Sequence, residues 1–166
     1  MQKKASRKTF TNEILEFRVV DGDTVEVTLD LGYKLYHKTK IRLEKIDAPE
    51  LHSTNPYERD AAKNVSKILN EMLALSMASG ALYFDCTEYD SDDRYGRILG
   101  NLYDTYTKRS IPKTLIQNGI VRFYDGKSPR KPWTDEELKK IIEACNNFIS
   151  SGKINSLNND YEHDWN

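Results

Sequence analysis

Three carboxylates fall at the ends of extended segments. Asp23 opens the stretch that runs to Leu29, Asp47 closes the run that begins at Tyr33, and Glu50 follows just beyond Pro49. Strand ends are where a rigid scaffold passes into the loops that carry chemistry. If these ends converge, the negative charges repel at short range, and a hard divalent cation bound through oxygen relieves the repulsion. Two arginines accompany them. Arg42 lies on the same run as Asp47, and Arg97 leaves the charged turn Asp90-Ser91-Asp92-Asp93-Arg94-Tyr95-Gly96-Arg97 at the start of another strand. Guanidinium groups stay charged at all working pH values and grip phosphate through paired N–H bonds. A carboxylate-held metal beside two arginines is equipment for phosphoryl transfer, in which charge on the non-bridging oxygens must be stabilised. Each piece alone has a plainer explanation: Asp-Gly-Asp makes hairpin turns, a strand arginine pairs with a surface acid, and Asp-x-Pro-Glu opens helices. Their joint order carries the weight.

The elements that must position these groups can be read from periodicity. Residues 13–20 carry Ile14, Leu15, Phe17 and Val19 in a β-prone context, and 23–29 alternate Val25, Val27 and Leu29; Asp21-Gly22 between them predicts a hairpin. The run 33–46 is long for one strand, is expected to bend near its middle, and ends where Pro49 withholds a ladder donor. Residues 58–77 place Ala61, Val65, Ile68, Leu69, Met72 and Leu73 at helical spacing, closed by Gly80. Strands are predicted at 81–87 and 98–103, a short helix at 112–118 ending on Gly119, and a last helix after Thr134, whose pairing with Glu137 makes a capping box. Past Ser150 the chain is polar and expected to fray. Three strands, a helix, two strands and further helices give an α+β class: a five-stranded barrel of the oligonucleotide/oligosaccharide-binding (OB) type with three helices.

Composition sets bounds on partners. With 25 basic and 26 acidic side chains the formal net charge is -1, so no global field draws in a polyanion and any affinity for nucleic acid must come from a local patch. A basic segment, residues 1–12, precedes the main unit at 13–150, and 151–166 form a polar, acidic tail. No apolar stretch follows the basic start and none is long enough to span a bilayer, so the expected location is cytoplasmic. Cys86 and Cys145 lack metal-ligand spacing and read as buried packing residues. His37, His52 and His163 read as surface histidines, and Trp133 as packing for the last helix.

The order of motifs resembles the staphylococcal nuclease family. Val20-Asp21-Gly22-Asp23-Thr24-Val25 is similar to its first metal motif, Ile41-Arg42-Leu43 through Ile46-Asp47-Ala48-Pro49-Glu50 to its second, and Asp93-Arg94-Tyr95-Gly96-Arg97 to its third; Leu115 to Tyr124 extends the resemblance. It implies an OB-fold nuclease in which Asp23, Asp47 and the backbone carbonyl of Ala48 bind Ca²⁺, with Mg²⁺ or Mn²⁺ as alternatives, and Asp21 supports Asp23. Glu50 would act on the attacking water, Arg42 and Arg97 on the phosphorus centre, and Arg94, Tyr95 and Tyr124 on the bound nucleotide. The implied reaction breaks the 5′ P–O bond of DNA or RNA, leaving 3′-phosphates, in a monomeric protein of bacterial or phage type. Ala48 replaces a threonine whose carbonyl is what matters, whereas Asp125-Gly126 interrupts a tyrosine-bearing segment. The rival expectations are a non-catalytic OB-fold binder of nucleic acid or protein, and an inhibitor or adaptor using the fold as a scaffold.

Overall fold

The computed structural model describes residues 10–88 and 96–156. The chain runs β1 (Phe10–Asp21), β2 (Thr24–Asp30), β3 (Tyr36–Leu43), β4 (Ile46–Asp47), α1 (Pro56–Ala78), β5 (Leu82–Glu88), β6 (Ile98–Asp104), β7 (Arg109–Ser110), α2 (Ile111–Gln117), β8 (Arg122–Phe123), α3 (Asp135–Ser150) and α4 (Lys153–Ser156). Strands β3, β2, β1, β5 and β6 pair in that order, and a parallel pairing of β3 with β6 through Ile41, Arg42 and Leu43 closes them into a five-stranded barrel. This is the expected OB-type α+β architecture. Closure removes the free edges that a five-stranded sheet would otherwise expose.

Local differences from the sequence expectation have identifiable causes. Strand β1 starts earlier, at Phe10, because residues 10–13 pair with β5 while its later part pairs with β2. A register shift between Ile14 and Glu16 breaks the alternation at Leu15, which is left exposed. The run 33–46 is not one strand bent near its middle: residues 31–35 form a turn, and the bend comes at Glu44-Lys45, where Lys45 takes a left-handed φ of 60°. Helix α1 begins two residues early, with Asn55 accepting from the Tyr57 N–H at 2.9 Å and Pro56 in the first turn. The capping box of α3 is present, Thr134 N–H donating to Glu137 at 2.8 Å and Glu137 N–H to the Thr134 hydroxyl at 3.2 Å. Past Ser150 the chain makes one more helical turn, α4, which buries Ile154 instead of fraying at once.

The core fills the barrel and the space beneath α1 and α3. Val25, Ile41, Leu43, Ile46, Val65, Ile68, Leu69, Leu73, Leu102 and Leu115 are all fully enclosed. Cys86 and Cys145 are buried thiols outside any disulfide, and burial pushes the Cys145 thiol up to about 12, as inert packing residues require. Gly22 is set by close approach and not by backbone freedom. A Cβ there would lie 2.7 Å from Ala48 Cβ and 2.9 Å from Val65 Cγ1. The turn bearing Asp21 and Asp23 is therefore pressed against the segment bearing Asp47 to Glu50, and both rest on α1.

Candidate active site

Asp23 lies in the turn just before β2, and its backbone carbonyl accepts from Leu43 N–H at 2.8 Å, which places it beside Arg42, the register partner of Thr24. Arg42 is buried. It pairs with Asp23 at 3.2 Å and donates to the carbonyls of Leu43 at 2.6 Å and Ile46 at 2.8 Å. Burial foremost, with the like charges of Arg130 and Arg97 nearby, holds its guanidinium below the usual value. The Asp23 carboxylate also accepts from the Thr24 hydroxyl at 3.0 Å, and that hydroxyl in turn accepts from Arg97 at 3.1 Å.

Asp47 is only 4% exposed. Its Oδ2 accepts two bonds from Arg122, Nε at 2.9 Å and Nη2 at 2.6 Å, while Arg130 approaches Oδ1 at 3.6 Å. The pairing of β4 with β8, with Asp47 opposite Arg122, brings this about. Arg122 also stacks on Trp133, 3.6 Å from the ring centroid, donates to the Lys131 carbonyl and approaches Glu137 at 3.7 Å. Glu50 stands exposed in the same region and pairs with Arg130 at 3.3 Å. Its backbone N–H donates to Glu58 at 3.2 Å, which also takes the Ser53 hydroxyl at 2.5 Å, so the first turn of α1 anchors the Glu50 turn.

An open cleft collects Asp21, Asp23, Glu50 and Arg97 with Lys40, Tyr124 and Arg130. The structure thus brings together Asp21, Asp23, Arg42, Asp47, Glu50 and Arg97 with the Ala48 segment, while Arg94 and Tyr95 lie outside the described residues. Tyr124 faces the cleft, its hydroxyl donating to the Ser128 carbonyl at 2.8 Å and its ring 5.7 Å from the Arg130 guanidinium. His37 and His52 are exposed, as expected, and His163 lies outside the described residues.

Two functional candidates escaped the sequence reading: Arg122 and Arg130. Arg130 reaches Glu50 because residues 125–128 turn back tightly. Asp125 accepts from the N–H groups of Lys127 at 2.8 Å and Ser128 at 2.9 Å and from the Ser128 hydroxyl at 2.6 Å, and these bonds, the Ser128 side chain first, bring its carboxyl down to about 2.

Whether the residues suit a metal can be tested on charge and on placement. The donors are all oxygens, as calcium prefers. Asp21 is pushed up to about 6, chiefly by burial and then by the negative Asp23 and Glu50. Among the described residues, however, no three Asp, Glu, His or Cys side chains are gathered as a finished metal site requires. Asp47 is turned to its arginines and Asp23 to Arg42. The donor set suits a hard cation in kind, while its carboxylates are engaged by arginines.

Asp21 gives a pH prediction. Its folded value of about 6 stands above the ordinary 3.8, so the folded state holds the proton more tightly. This contribution to stability is complete below the ordinary value and is lost as pH rises through the folded one. Asp21→Asn is expected to raise Tm by a few degrees at about pH 7.5 in chelator, and much less at about pH 4.5, because only the ionised carboxylate opposes folding. Thermal melts at the two pH values check it; a lower Tm for the variant at the higher pH would contradict the sign.

Comparison with known proteins places the chain. Residues 40–147 match the family model described as "Staphylococcal nuclease homologue". The chain is 30% identical over 137 residues to the SPbeta prophage-derived endonuclease YokF of Bacillus subtilis (strain 168), covering 80% of this chain and 41% of that protein. It is 28% identical over 151 residues to endonuclease YncB of the same organism, covering 87% of this chain and 63% of the relative. It spans less than two thirds of the length of either. Among the described residues no helix is long and apolar enough to cross a membrane.

Proposed function

The chain belongs to the staphylococcal nuclease homologue family, and on that premise we propose that it is a calcium-dependent phosphodiesterase that hydrolyses DNA and RNA at the 5′ P–O bond, leaving 3′-phosphates. The observation that carries this reading is the shared cleft, which Asp21, Asp23 and Glu50 line together with Arg97 and Arg130. Two relatives are named endonucleases, which supports the reaction class. The working unit is taken as residues 13–150, acting as a monomer.

Asp23 and Asp47, with the Ala48 carbonyl, would hold the cation, and Asp21 would support Asp23 from behind. A bound divalent ion supplies positive charge to a phosphate oxygen and lowers the pKa of water. The remaining tasks fall to the protein's own side chains. Glu50, exposed in the cleft, accepts the proton of the attacking water. Arg97 lines the cleft and binds a non-bridging phosphate oxygen, whereas Arg42, with its donors on two carbonyls and Asp23, holds the carboxylate frame and adds charge from within. Arg130, bridging Asp47 and Glu50, lets these two acids stay close. Arg94, Tyr95 and Tyr124 are assigned to the nucleotide.

The test is a panel of Ca²⁺, Mg²⁺ and Mn²⁺ on end-labelled single-stranded DNA and RNA, with product ends identified. The expected result is cleavage with Ca²⁺, abolished by chelator, and fragments ending in 3′-phosphate. Absence of cleavage with every metal removes the enzyme reading in favour of a binding module on the same fold.

A further inference from the structure

We propose that the outward face of β3, from Lys40 through Lys38 to Tyr36 and on to Tyr33 in the preceding turn, is a track along which an extended single strand of nucleic acid reaches the cleft. The proposal rests on the nuclease reading for its destination and on separate residues for its substance. Side chains alternate along a strand, and here Ile41 and Leu43 are wholly buried while Tyr36, Lys38 and Lys40 face out, in register with Asp30, Thr28 and Glu26 of β2. The same face ends at Arg42. Lys40 also lines the cleft beside Asp21, Glu50 and Arg97, so the track opens directly into the site.

Same-face residues on a strand repeat every ~7 Å, so Tyr36 to Arg42 covers roughly 20 Å, the reach of a few nucleotides in an extended strand. Cations at that interval can follow successive phosphates. The far end supplies aromatic rings: Tyr33 is 98% exposed and Tyr36 60%. Tyr36 opens β3, and Tyr33 sits on a hydrogen-bonded turn. Leu31 N–H bonds the Leu35 carbonyl and Leu35 N–H the Gly32 carbonyl, both at 2.9 Å, and Gly32 N–H bonds Asp30 at 2.7 Å. Tyr33 and Lys34 hold left-handed φ values of 53° and 63°, a region unfavourable for large side chains, and the result is a tyrosine ring held entirely in water. Bases stacked on these rings would cover them.

Of the acids on this face, Glu26 is countered by Arg18 at 3.1 Å and Lys38 at 3.4 Å, while Glu16 accepts the Thr28 hydroxyl at 3.3 Å and Asp30 the Gly32 N–H at 2.7 Å. With a chain-wide net charge of -1, a strand needs a local patch of this kind. Leu31 and Leu35 beside the tyrosines would also suit an apolar partner, but lysines leading into a phosphodiesterase cleft favour a polyanion bearing flat bases.

Binding is measured by fluorescence anisotropy in chelator, where no cutting occurs, with a labelled oligothymidylate of about a dozen nucleotides and an abasic strand of equal length. Lys38→Gln with Lys40→Gln is expected to weaken both strands about tenfold and to flatten the salt dependence by about 0.7 per lysine. Tyr33→Ala with Tyr36→Ala is expected to weaken oligothymidylate about tenfold and leave the abasic strand unchanged, with Tyr33→Phe and Tyr36→Phe restoring the affinity. Wild-type affinity in both altered proteins, or an equal tyrosine effect on the two strands, overturns the track. A wild type that binds this way without ever cutting keeps the track and loses the nuclease; one that cuts while the variants bind normally does the reverse. A wild type that neither binds nor cuts overturns both.

Discussion

Arg97→Lys is expected to lower kcat/KM on single-stranded DNA by roughly 10²–10³-fold while moving Tm little. Arg97 lines the open cleft, is only partly buried and bonds the Thr24 hydroxyl at 3.1 Å. Lysine keeps the charge but cannot present two parallel donors to a phosphate, so the loss falls on the transition state more than on the fold. Arg42→Lys is expected to behave differently. That guanidinium bonds the Leu43 and Ile46 carbonyls as well as Asp23, in a site where it is 7% exposed, so both activity and Tm should fall. Steady-state kinetics and thermal melts on the two variants separate a residue that meets substrate from one that frames the site. Near wild-type kinetics for Arg97→Lys would remove Arg97 from the chemistry; an unchanged Tm for Arg42→Lys would deny the framing role.

How much of this could be read from sequence depends on the range of the signal. Local signals were legible: the Thr134 and Glu137 box, the apolar stripe of α1, the Asp-Gly hairpin and the carboxylates at strand ends all declare themselves within a few residues. Signals arising from long-range pairing were not. Arg122 gains its meaning only when the two-residue strands β4 and β8 meet, 75 positions apart. Nothing beside it in sequence separates it from other basic residues, although its place after the Gly119-led segment of the family pattern was a usable hint. Arg130 lies in the basic, proline-flanked stretch Ser128-Pro129-Arg130-Lys131-Pro132, and its partner Glu50 is 80 positions away in sequence. The turn at Tyr33 was read as strand because its residues are β-prone and only Gly32 marks a turn; left-handed geometry at Tyr33 and Lys34 runs against local preference. The same reasoning explains why parallel closure of β3 on β6 leaves no trace in periodicity.

Arg122→Met is expected to destabilise the protein by about 3–5 kcal/mol, the cost of leaving a buried carboxylate without its partner. Asp47 is 4% exposed and its Oδ2 takes both Arg122 bonds, so burial leaves solvent little access to replace them. The same guanidinium stacks on Trp133 and bonds the Lys131 carbonyl, which joins the Asp47 strand to the start of α3. For a domain of this size the loss corresponds to a fall in Tm of roughly 10 °C. Arg122→Lys should fall between wild type and Arg122→Met, since an ammonium keeps the charge but cannot reproduce the two-nitrogen grip and the planar stack together. The second arm is Asp47→Asn combined with Arg122→Met. If the penalty comes from the stranded charge, the double variant should regain much of the lost stability in a denaturant titration, yet stay inactive because the cation has lost a carboxylate. A single Arg122→Met variant within about 1 kcal/mol of wild type would show that Asp47 does not depend on Arg122, and that Arg130 alone holds it in place.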